Sequence, residues 1–372
     1  MNPALCVVVP ALLSLATPLA FAASPTPSPS PAATAKPAKE TPSPTPTPPP
    51  LRKVIDALPD GDAQQALELL RSTYVRSGSL DEPALARATL QGLLERLGGG
   101  AAIRSAAPQP PVESPLRSEI LDERVGYVRL GSLTKGHLAE LDAALGNFKT
   151  KKIGALVLDL RATPPSSDFE LAAEIVKRFT PKGKMLFAVH RPSLKQERMY
   201  TSDLDPAFHG VVVTLIHRES AGAPEVIAAV LRANLNALTV GQTTTGQAAE
   251  FTDLPLHGGK VLRVAVAEVK LPQNMIIFPD GLKPDLPVEF SPKDEEEVLK
   301  AGLEKGVGGL VFETERARLN EAALVAGTNP EIDAEEADQA NAAALKTVLY
   351  DAPLQRAVDL VTALSIFGGK TP

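Results

Sequence analysis

Apolar residues recur at helical spacing from Leu51 to Leu97. The stretch "DAQQALELLRSTYV" sets Ala66, Leu69, Leu70 and Tyr74 on one face. "DEPALARATLQGLLERL" predicts a second helix, with Asp81 as N-cap and Pro83 in its first turn, ended by Gly98 to Gly100. A Pro- and Ser-rich loop is expected from Ala101 to about Pro115. Beyond it the period alternates. "RVGYVRL", "IGALVLDL", "MLFAVHR", "VVVTLI" and "ALTVG" read as strands, and the nearly all-apolar "IGALVLDL" predicts a strand covered on both faces. Helices are expected over "LTKGHLAELDAALGNF", over "SSDFELAAEIVKRF" with a capping box of Ser167 and Glu170, and over "PEVIAAVLRANL" with Pro224 in its first turn. "QAAEFTDLPL" and "KVLRVAVAEVKL" predict consecutive strands joined at Gly258-Gly259. Such alternation implies an α/β layered core with a parallel or mixed sheet.

Three helices are expected to close the chain. "SPKDEEEVLKAGLEK" has Ser291 as cap, and its acids Asp294 to Glu297 suit the positive end of a helix better than a metal. "NPEIDAEEADQANAAALKTVL" reads as a polar surface helix, and "DAPLQRAVDLVTALSIF" as an amphipathic one that docks back on the body. At the other end, "MNPALCVVVPALLSLATPLAFAAS" reads as a secretory signal over 1–22, with the small-residue pattern Ala20-Phe21-Ala22. It has no basic residue at its start, so a membrane anchor is the rival reading, although Pro10 and Pro18 interrupt a spanning helix. The Pro-, Ser- and Thr-rich run over 23–50 reads as a disordered linker. The expected divisions are then a helical segment over 51–100, an α/β domain over 116–290 and a helical region over 291–372. The location expected is secreted or periplasmic, in the cell envelope of a bacterium, with no membrane contact beyond the signal segment.

Composition removes several classes of function. The 372 residues carry a net charge of −6 and only 4% aromatics, with no Trp, which argues against nucleic-acid partners. The single cysteine, Cys6, lies in the signal segment, leaving the rest without a disulfide, a thiol nucleophile or a Cys-based metal site. His137, His190, His209 and His257 show no metal-ligand spacing, and neither metal nor cofactor is expected.

Five motifs in order then resemble the C-terminal-processing, or tail-specific, serine proteases: "GYVRLGSL" from Gly126, "ALVLDLRATPP" from Ala155, "ESAGAPEVIAAVL" from Glu219, "LTVGQTTTGQA" from Leu238 and "GLKPDLPV" from Gly281. The likeness runs from about Leu51 to Phe290. It implies an α/β layered core of the ClpP/crotonase-like kind, with an N-terminal helical segment and C-terminal helices. It also implies a Ser nucleophile and a Lys base, because a hydroxyl attacks only once a neighbouring base takes its proton. The nucleophile position, three residues before Glu225, is Gly222, and the base position, after Gly246, is Gln247. Neither side chain can do that chemistry. The turn that in the resembled enzymes helps form an oxyanion hole reads Thr163-Pro164-Pro165-Ser166, and Pro165 has no N–H to give. The interval from Gly98 to Asp122 is too short for the PDZ domain most of the family carries.

The reading that follows is a secreted pseudoprotease. It keeps a groove of Thr163, Pro165, Ser166, Ala223, Thr245 and Gly246 for an extended peptide or an unfolded protein. Two alternatives stay open. One is an active serine peptidase using Ser220, helped by His217 and Glu219, or a relocated site. The other is a structural envelope protein. Against Ser220 as nucleophile stands the expectation that it caps the following helix while His217 ends the strand. Asp159 and Arg161, at a strand C-terminus, fit an ion pair as well as a functional role.

Overall fold

The computed structural model describes residues 51–106, 113–311 and 349–368, and the chain divides into two units, Met1–Ser77 and Gly78–Pro372. The expected signal segment, the Pro-rich linker and the polar helix up to residue 348 lie outside the described residues.

The first unit holds α1 (Leu51–Asp56) and α2 (Asp60–Thr73). Its helical pattern is realised, but the predicted apolar face, with Leu69, Leu70 and Tyr74, is exposed.

The second unit begins with α3 (Glu82–Leu97), which Asp81 caps by accepting from Ala84 N–H at 2.8 Å. Two sheets follow. One has the order β11-β8-β7-β4-β3-β2, formed by β2 (Arg117–Leu121), β3 (Val125–Arg129), β4 (Ala155–Asp159), β7 (Val211–Ile216), β8 (Leu238–Gly241) and β11 (Leu286–Pro287). It is parallel except for the antiparallel edge strand β2. The register aligns Arg129 with Asp159 and Asp159 with Leu215, so the C-terminal ends of three strands lie side by side. In the other sheet β10 (Lys260–Lys270) is paired along its length with β9 (Ala249–Leu256). On its other side it meets β1 (Ala101–Ser105) and then β5 (Met185–Arg191), and β6 (Gln196–Thr201) pairs with β5.

Alternation along β4 explains the two cores. Leu156 and Leu158 enter a core with α4 (Lys135–Thr150), α5 (Phe169–Lys177), α6 (Ala223–Leu235) and the second sheet. Ala155 and Val157 face the opposite side, where Leu354, Ala357, Val358 and Val361 of α8 (Ala352–Gly368) and Val298 of α7 (Pro292–Lys305) close over them. The apolar face of the last helix therefore docks as its pattern requires. Helix α6 is buried without interruption from Ala223 to Leu231, and apart from Glu225 that run is apolar on every side.

The structure corrects three expectations. The loop after Gly100 contains β1, whose short "AAIRS" shows little alternation and becomes a strand only by pairing with β10. Strands β2, β6 and β11 likewise escape a period-based reading. The cap of α5 is Asp168, accepting from Leu171 N–H at 2.9 Å, in place of Ser167.

Candidate functional site

The turn from β7 into α6 is closed on itself. Ser220 N–H donates to the carbonyl of His217 at 3.1 Å. The Ser220 hydroxyl oxygen lies 2.8 Å from His217 Nδ1 and accepts from His217 N–H at 3.2 Å. This corrects the expectation that Ser220 caps α6: its hydroxyl is turned back to His217, and the N-cap is Gly222. The serine is fully buried. Burial, with the charge of Arg161 added to it, pushes the His217 imidazole down to about 4.

Gly222 adopts φ +73° and ψ −118°, and a Cβ built on it would lie 2.1 Å from the carbonyl oxygen of Ser166. Only a residue without a side chain fits that turn. The backbone donors there are already used. Gly222 N–H donates to Glu225 Oε2 at 2.7 Å, and Ala223 N–H donates to the Ser166 carbonyl at 2.7 Å. Ser166 N–H in turn faces the Ala221 carbonyl at 3.4 Å.

Glu225 is the hub of this arrangement. Fully buried, it accepts from Gly222 N–H, from Gly246 N–H at 2.7 Å, from Gln247 N–H at 2.8 Å and from the Thr244 hydroxyl. Burial pushes its carboxyl up and these four donors oppose the shift. Thr245 adds two bonds to the Ser220 carbonyl, from its N–H at 3.1 Å and its hydroxyl at 2.7 Å. The positions read as nucleophile and base are thereby brought side by side, with the Gln247 carbonyl oxygen 3.5 Å from the place of a Gly222 Cβ.

Of the residues read as a groove, Thr163 is buried and donates to the Leu130 carbonyl at 2.8 Å, while Ala223 and Gly246 are also buried. Pro165 and Thr245 are exposed and Ser166 is half-buried.

Behind the turn, on the α7–α8 side, lies a buried ionic network. Asp159 accepts from Arg161 through its backbone N–H, Nε and a terminal nitrogen, and from the Tyr127 hydroxyl at 2.7 Å. Arg161 also holds both carboxylate oxygens of Asp351, at 2.9 and 2.7 Å. Burial alone would raise the Asp159 carboxyl, but Arg161 and Arg129 hold it well below the usual carboxylate range. Glu295, in the first turn of α7, is pushed up to about 7 by burial. Asp159 and Arg161 therefore form an ion pair, one of the two roles left open for them. Sequence reasoning missed Asp351 and read Glu295 only as one of the acids at a helix start; both arrive from distant helices. It also missed the hub role of Glu225, whose one sequence signal is its place three residues after Gly222. Among the described residues no group of three or more His, Cys, Asp or Glu side chains is placed to hold a metal ion.

Residues 124–288 match the model of peptidase family S41. The carboxyl-terminal-processing protease of Synechocystis sp. is 27% identical over 180 residues, 47% of this chain and 42% of that one. The carboxy-terminal-processing protease of Bartonella bacilliformis is 25% identical over 258 residues, 64% of this chain and 58% of that one. The chain thus spans about half the length of these curated relatives. The solved structure of the photosystem II D1 C-terminal processing protease superposes with a TM-score of 0.40 at 22% identity, covering 54% of this chain and 51% of that one. Residues 124–288, which carry the five ordered motifs, match peptidase family S41 and are similar to carboxyl-terminal-processing proteases.

Proposed function

We propose that this protein is a secreted, catalytically silent S41 relative that binds extended or unfolded polypeptide. One observation carries the silence. The nucleophile position is a glycine in a turn with no room for a side chain, and its own N–H and the next one are spent on Glu225 and on the Ser166 carbonyl. An acyl-transfer site needs a nucleophile and free donors aimed at the developing oxyanion. Here there is no nucleophilic side chain at position 222, no base at Gln247, and both turn donors are satisfied internally. Location in the cell envelope rests on the signal-like N-terminus. Among the described residues no helix is long and apolar enough to cross a membrane.

The bond between His217 and Ser220 favours a second reading, a serine peptidase using Ser220. Two facts weigh against it. Ser220 is fully buried, and a histidine held near 4 is a weak base at neutral pH.

Incubating the purified chain and its Ser220→Ala variant with an unfolded protein, followed by mass spectrometry of the products, tests the proposal. Neither is expected to cleave. Cleavage by the parent that disappears in Ser220→Ala would establish the second reading and end the first.

A further inference from the structure

A cavity of about 470 Å³ lies at the β5–β6 hairpin, lined by Val189, Arg191, Gln196, Glu197, Arg198 and Glu250. That volume is in the range of ligand sites. The cross-strand register pairs Val189 with Arg198 and Arg191 with Gln196, so these four side chains share one face of the sheet. The same face meets the start of α5, where Glu170 stands 3.6 Å from Arg198. It also meets the start of β9, where Glu250 binds Arg191 and, at 3.1 Å, Arg198. The cavity therefore follows on from the two loops at the silent site: Glu170 is four residues past Ser166, and Glu250 three past Gln247.

Two guanidiniums here share one sheltered carboxylate, Glu250; the second acid of the lining, Glu197, is 48% exposed and lies 3.9 Å from His190 and from Lys270. Glu250 is 20% exposed, whereas Glu170, the other acid in reach of Arg198, is 73% exposed and largely screened by water. Each arginine uses one terminal nitrogen on Glu250, and a guanidinium has five N–H donors in a fork shaped for carboxylates. The strand that carries Arg198 is also the end of its sheet. Strand β6 pairs with β5 alone among the described strands, so its outer row of main-chain groups is open to another strand. A strand laid along that edge would place every second side chain on the Arg198 face, about 5 Å from it.

We infer that the β6 edge and this cavity together bind an extended acidic polypeptide segment. Main-chain bonds to β6 hold the strand, and an Asp or Glu side chain reaches Arg191 and Arg198. The inference rests on the peptide-binding reading above and assigns that reading its partner chemistry and its place.

The test is fluorescence anisotropy with the full chain and two short labelled peptides of strand-forming sequence, one with Glu at alternate positions and one with Gln there. The acidic peptide is expected to bind, and the Gln peptide about tenfold more weakly. The Arg198→Gln variant should lose the same factor for the acidic peptide only. Arg198 is 54% exposed, so this variant should melt with the parent, and raised salt should weaken the acidic peptide alone. Equal binding of both peptides, or unchanged binding by Arg198→Gln, overturns this inference and leaves the peptide-binding reading standing. A concentration-dependent dimer that blocks the acidic peptide would give the edge to a second copy and also overturn it. Binding of neither peptide by any form overturns the peptide-binding reading itself.

Discussion

On the proposed reading, Gly222 removes a chemistry and keeps a fold. Its positive φ and the Ser166 carbonyl 2.1 Å from a would-be Cβ leave no room for serine. Putting the two family side chains back as Gly222→Ser with Gln247→Lys should therefore fail to create a protease. The expected loss of stability is about 2–4 kcal/mol, from backbone strain together with displacement of the 163–167 loop. Denaturant unfolding and the unfolded-protein assay check both parts, and a stable, cleaving double variant would refute the account of this turn. Glycine at 222 and glutamine at 247 are legible directly in the sequence. The reason Glu225 stays is not, because its four donors come from a turn and from a loop about twenty residues on.

At the level of elements, α8 is tied to the sheet by two kinds of contact. Its apolar residues close the second core, and Asp351 both receives Leu354 N–H at 3.0 Å, capping the helix, and holds Arg161 through two bonds. Removing one partner of a buried pair leaves the other charge uncompensated. Asp351→Ala is expected to cost about 3–5 kcal/mol, with hydrogen exchange rising first in α8 and at the end of β4. A variant as stable as the parent would show that apolar docking alone holds the helix. The docking of α8 was readable from its periodicity, whereas its anchor was not, since Asp351 lies 190 residues from Arg161. Strand β1 failed to declare itself for a related reason: five weakly patterned residues become a strand only when β10 supplies the hydrogen bonds.

Across the whole molecule, two buried groups bend stability with pH in opposite senses. Glu295 rises from an ordinary 4.5 to about 7, so its contribution is full below about 4.5 and is lost as pH climbs to 7. His217 falls from 6.5 to about 4, so its contribution is full above 6.5 and is lost as pH drops through 4. Each is worth about 3 kcal/mol, and between about 4.5 and 6.5 the two slopes oppose each other. The parent should therefore show a shallow profile there. Glu295→Gln should expose a stability that rises with pH over that window, and His217→Gln one that falls. Urea midpoints measured from pH 4 to pH 8 decide the matter, and parallel profiles for all three would sink it.

The sequence by itself determined the α/β architecture, the central strands, the caps at Asp81 and Ser291, and the glycine and glutamine at positions 222 and 247. Those follow from period, local hydrogen bonding and residue chemistry, which act over a few positions. Only the tertiary structure decided that the turn donors are spent, that His217 meets Ser220, that Asp351 secures Arg161, and that a cavity with two arginines opens at the β5–β6 hairpin. Each depends on groups far apart in the chain whose meeting is set by sheet register and by burial, and no local pattern records which distant partner will satisfy a buried polar group.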